Sequence, residues 1–71
     1  MALKENFIAN LRSAMERLGW TQEQLSEKSG VHYTTISRIL NGHNEPSFDN
    51  CERLAKAVNI DPPKIFSYPR K

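Results

Sequence analysis

The stretch "TQEQLSEKSGVHYTTISRILNG", residues 21–42, constrains the fold of this chain more than any other. Thr21 followed three residues later by Gln24 has the spacing of a capping box, in which two side chains satisfy each other's helix-start amides. Gly30 supplies a residue that tolerates a tight left-handed turn, and Asn41-Gly42 closes the segment that follows. Two helices, about 21–29 and about 32–41, are therefore hinged on a residue or two. Each is too short to be stable alone, so their apolar faces must be buried against the rest of the chain.

The remaining sequence offers that cover. Phe7, Ile8, Leu11, Ala14, Met15 and Leu18 recur at three-to-four-residue spacing and predict a first helix at about 4–18 that stops at Gly19. Beyond the polar "HNEP", Ser47 suits an N-cap, and Phe48, Cys51, Leu54, Ala55 and Val58 form the apolar stripe of a helix at about 47–58. Asp61 and Pro62 open a short turn at about 62–66. Strand patterns, repeats and low-complexity segments are absent from the sequence, so the expected class is all-α: five short helices around one core. The expected domain covers residues 1–66, with 67–71, "SYPRK", as a tail. A chain of 71 residues buries only about 60% of the surface its unfolded form exposes, which predicts modest stability.

Several functions are excluded at this level. One cysteine cannot form an internal disulfide, and two histidines without partners at ligand spacing give no metal site. No apolar run approaches the roughly 18 residues of a membrane span, and the charged start is unlike a signal peptide, so a cytoplasmic protein with a native start is expected. No nucleophile and base pair, carboxylate pair or phosphate-cradling glycine loop is present, so neither an enzyme, a cofactor nor a small-molecule substrate is expected. The net charge is +2, made of +1 over residues 1–20, −1 over 21–60 and +2 over 61–71. A nucleic-acid surface on this chain would be polar more than basic.

The segment after Gly30 has two distinct faces. With Ile36 at zero, Ile39 and Leu40 fall at about 300° and 40°, while Thr34, Arg38, Asn41 and Ser37 fall at about 160°, 200°, 140° and 100°. Tyr33 and Thr35 lie on the flanks. An ordinary solvated helix face carries Glu, Lys and Gln, because Thr and Ser form helices less well. A major groove gives a reason for the departure: Arg bonds guanine O6 and N7 together, Thr and Ser bond several base edges, and a Tyr ring or Thr methyl packs on thymine.

These residues carry a family likeness. "TQEQLSEKSGVHYTTISRILNG", with "PSFDNCERLAKAVNI" behind it, resembles the lambda-repressor/Cro-like (XRE-type) helix-turn-helix domains over about residues 4–66. The features that agree are Gln22, Leu25, Ser26, Gly30, Ile36, Ile39, Asn41-Gly42 and Pro46-Ser47. The resemblance implies a transcriptional regulator, most simply a repressor, that binds double-stranded operator DNA as a homodimer. It places Tyr33, Thr34 and Arg38 in the groove with His32 and Ser37 at its edges, and phosphate clamps at Gln22, with Thr21 beside it, and at Asn41. An antitoxin, a small controller or the DNA-binding part of a longer repressor would share this chemistry. A helical protein-interaction module is the reading from another class, and it expects exposed apolar anchors where this segment has polar side chains.

The chain departs from the family at two points. Many members pair an Arg on the first helix with a Glu ending the third, and Met15 and Leu40 stand at those positions, an apolar replacement of an ion pair. The cap of the reading helix is usually Ser or Thr; His32 is a poorer cap, and stands equally for a DNA contact and for a plain helix-start residue. Elsewhere, Cys51 suits a small core residue, His43 surface, Glu23 and Glu27 a solvated face, and Trp20 the junction of the first two helices. Phe66 and Tyr68 fit either a cap on the core or a dimer seam.

Overall fold

A computed structural model describes residues 3–43 and 46–67. Four helices, α1 (Leu3–Leu18), α2 (Gln22–Ser29), α3 (Tyr33–Leu40) and α4 (Phe48–Ala57), are followed by a 3-10 turn at Pro62–Phe66. The class is all-α, as expected, with a 3-10 turn as the fifth element. Three helices begin one residue later than expected because Thr21, His32 and Ser47 serve as their N-caps. Asn44 and Glu45 of the polar loop, and residues 68–71 of the tail, Tyr68 among them, lie outside the described residues.

Each boundary has a local cause. Thr21 and Gln24 form the capping box reciprocally: the Thr21 hydroxyl accepts from the Gln24 amide at 3.2 Å, and the Gln24 side chain accepts from the Thr21 amide at 2.8 Å. α1 stops in a paired C-terminal motif, with Gly19 N–H donating to Glu16 O and Trp20 N–H to Met15 O. α3 ends in the same way through Gly42, whose φ of 76° a side chain would resist.

The core is contiguous. Phe7, Leu11, Leu25, Ile36, Ile39, Leu54, Val58 and Ile65 are fully buried, and Ile8, Leu18, Trp20 and Phe66 pack against them. Each such large side chain removed from water contributes about 1.5–3 kcal/mol before chain entropy is charged against it. α1 packs chiefly on the 3-10 turn, and α2 packs on α3 and α4. Met15 and Leu40 are buried in this core.

One expected core residue is not there. Phe48 is 77% exposed. Relative to it, Cys51, Leu54, Ala55 and Val58 centre about 70° round the helix, so the first helical residue stands off the apolar stripe. Conversely, Phe66 closes the core, its ring stacked on Phe7 with centroids 5.6 Å apart. Two asparagines of α1 hold the turn in place. Asn6 Nδ2 donates to the Phe66 carbonyl at 3.1 Å, and Asn10 Nδ2 to the Ile65 and Ser67 carbonyls at 2.7 Å each.

Candidate nucleic-acid interface

α2 and α3 are joined by a turn built from its own side chains. Gly30 has φ 76° and its N–H donates to Ser26 O, while the Ser26 hydroxyl donates to the Val31 carbonyl at 2.7 Å. The Ser29 hydroxyl accepts from Val31 N–H at 3.1 Å. Leu25 and Val31 are buried on the inner side of the bend. The angle between the helices is thus fixed by backbone conformation, three hydrogen bonds and an apolar contact.

That bend presents α3 to solvent along one side. Ile36, Ile39 and Leu40 are buried, while Tyr33, Thr34, Arg38 and Asn41 are exposed and Ser37 is half-buried. Among the described residues, the side chains of Tyr33, Thr34, Ser37, Arg38 and Asn41 have neither a hydrogen-bond nor an ion-pair partner within the chain. Their donors and acceptors remain available to a ligand. His32 is exposed and caps α3, its Nδ1 accepting from Thr34 N–H at 3.2 Å. A neutral imidazole that accepts at Nδ1 carries its proton at Nε2, so one donor is left over.

At the other helix start, Gln22 is half-buried, its side chain without a partner among the described residues, whereas the Thr21 oxygen is engaged in the capping box. Gln22 lines an open groove of about 500 Å³ together with Arg12, Ser13, Trp20 and Leu40. Trp20 lies at this junction, half-buried, with Lys28 Nζ 5.9 Å from its ring centroid. Glu23 and Glu27 are solvent-exposed, as is His43.

Sequence reasoning missed two cations that reach the end of α3 from α1. Arg12 Nη2 donates to the Leu40 carbonyl at 2.9 Å, and Lys4 Nζ to the Gly42 carbonyl at 3.2 Å. Both sit where a helix dipole favours positive charge. The loss of the family's ion pair at Met15 and Leu40 was the available signal, since it leaves open what else ties α1 to α3.

No group of side chains suited to holding a metal ion occurs among the described residues, and no helix there is long and apolar enough to cross a membrane. A bent helix pair of this form is a helix-turn-helix, and the family match and the related regulators that follow make the chain a non-enzymatic DNA-binding regulator of that class. The chain belongs to the XRE-type helix-turn-helix family, whose model matches residues 11–65. It is 34% identical over 67 residues to the control protein C.SmaI of Serratia marcescens, covering 94% of this chain and 80% of that one. It is 39% identical over 56 residues to a competence pilus inhibition repressor of Acinetobacter baylyi, covering 79% of this chain but only 51% of the repressor. The restriction-modification controller protein C.AhdI of Aeromonas hydrophila superposes with a TM-score of 0.81 at 29% identity, over 93% of this chain and all of that one. A hypothetical transcription factor from Neisseria shares the fold with a TM-score of 0.87 at 24% identity, over 94% of this chain and 77% of that one.

Proposed function

We propose that this regulator binds a two-fold operator as a homodimer, each copy laying α3 in the major groove. The observation that carries the reading is the outer face of α3, where Thr34 and Arg38 stand exposed and unpartnered directly opposite the buried Ile36, Ile39 and Leu40. A groove about 12 Å wide accepts a helix of this diameter. Arg38 then suits a guanine, Thr34 and Ser37 suit base edges, Tyr33 packs on a thymine methyl or the backbone, and His32 offers Nε2 at the groove's edge. Gln22, with Thr21, and Asn41 hold phosphates and fix the register.

The control proteins and the repressor among its relatives support a repressing or controlling role, with a small restriction-modification controller as the favoured setting. With few cations on the reading face, the dependence of affinity on salt should be shallow for a DNA-binding protein.

Selection from random duplexes tests the proposal. A pair of inverted half-sites about one helical turn apart is expected. Arg38→Ala and Thr34→Ala should each cost about 1–3 kcal/mol and relax preference at one position of each half-site. Sequence preference that survives both substitutions would overturn the assignment of the reading face, and a selected site without two-fold symmetry would overturn the dimer.

A further inference from the structure

Arg12 stands outside the two-helix motif, yet its guanidinium is held against it. Nη2 donates to the Leu40 carbonyl at 2.9 Å, while the side chain as a whole remains exposed. Among the described residues no carboxylate is ion-paired with it. It lines the same open groove as Gln22, between α1, the start of α2 and the end of α3.

We propose that Arg12 is a further DNA-contacting residue, seating one backbone phosphate in this groove together with Gln22. The proposal rests on the DNA-binding reading above. An arginine offers five donors in a fixed fork, and the Leu40 carbonyl occupies one of them while setting the plane of the rest. A guanidinium already held in place loses little freedom when it meets a phosphate, which favours it over a freely rotating surface cation. The tether also links the phosphate seat to the last residue of the reading helix, so a contact to the backbone here would set the depth of α3 in the groove. Glu16 lines the same groove. Its carboxylate works against an anion there, so the seat depends on the charge and the held fork of Arg12.

The test is the salt dependence of duplex binding for the unaltered chain, Arg12→Gln and Arg12→Lys, on the selected site and on a scrambled duplex. Loss of one phosphate contact lowers the slope of log affinity against log salt by about 0.9, so the deficit of Arg12→Gln should shrink by about 3.5-fold between about 50 and 200 mM salt. The deficit should be equal on both duplexes, and Arg12→Lys should keep the parental slope. Should Arg12→Gln fail to fold, as judged by circular dichroism, Arg12→Met retains the apolar stem and carries the same comparison. An unchanged slope with lost discrimination between the duplexes would overturn the proposal and leave Arg12 as a tether for α3. Unchanged binding throughout would overturn it outright. No binding by the unaltered chain would instead strike down the DNA-binding reading, and this proposal with it.

Discussion

The Ser26 hydroxyl donates to the Val31 carbonyl over 2.7 Å, spanning the bend between α2 and α3 from the inside. Val31 is buried, so without this donor its carbonyl has no easy recourse to water. Ser26→Ala should therefore lower stability by about 0.5–1.5 kcal/mol, or somewhat more if the carbonyl stays dry. Urea denaturation followed through Trp20 fluorescence measures it. Because the same bond helps to set the angle of α3, the variant should also bind DNA more weakly under conditions where it is fully folded. An unaltered affinity would show that Gly30, the two remaining hydrogen bonds of the bend and the apolar contact hold the angle without it.

Asn10 makes the firmest link between the two ends of the fold, with its amide donating to both Ile65 and Ser67 carbonyls at 2.7 Å. Asn10→Ala removes both bonds and weakens the seat of the 3-10 turn on α1. A loss of about 1–3 kcal/mol is expected, the cost of two bonds of about 1 kcal/mol each, with part recovered by water at the exposed Ser67. Hydrogen exchange localises the effect. Faster exchange should appear at Lys64 and Ser67 N–H, whose backbone bonds close the turn, before it appears in α2 and α3.

Local patterns made most of the fold legible. The capping box at Thr21 and Gln24, the turn at Gly30 and the apolar spacing of Phe7, Leu11, Ile36, Ile39 and Leu54 act over a few residues, and each ended where the sequence placed it. The misses involve geometry that periodicity does not carry. Phe48 has the right residue type, but it opens its helix about 70° from the centre of the apolar stripe. Asn6 and Asn10 look like ordinary polar helix residues until the chain returns and sets bare carbonyls against them. The outer face of α3 was legible because it is the complement of the buried face. Arg12 was not, because its partner is a backbone carbonyl, which no residue type announces.

His32 combines two roles that substitution should separate. Its Nδ1 accepts from Thr34 N–H at 3.2 Å, doing the work of a hydroxyl or carboxylate cap with a bulkier and less adaptable ring. His32→Ala should destabilise the chain by about 0.5–2 kcal/mol through the lost cap. His32→Ser restores a preferred cap and should match or exceed the parent in thermal denaturation. If Nε2–H also reads the operator, His32→Ser should still weaken specific binding by about 1 kcal/mol or more. Parental affinity in a variant of parental stability would reduce His32 to a cap.

Cys51 gives a pH dependence whose sign can be worked out. The thiol lies in the core between α4 and its neighbours, and burial pushes it up from the ordinary thiol value because the thiolate would lose its hydration. In the unfolded chain the same thiol ionises at about pH 8.5. Above that point the unfolded state binds fewer protons than the folded one, so the free energy of unfolding falls as pH rises. Below it both states hold the proton and this group contributes no slope. The decline attributable to Cys51 should approach, and not exceed, about 1.4 kcal/mol per pH unit while the folded thiol stays protonated. Urea denaturation at a series of pH values between about 7 and 10 measures the slope, and Cys51→Ala isolates the thiol's share, since both chains carry the same lysines and tyrosines. The alanine variant should be less stable at neutral pH, from lost packing, but flatter on the alkaline side. Parallel curves for the two chains would mean that the folded thiol ionises as readily as the unfolded one, and that Cys51 is in contact with water.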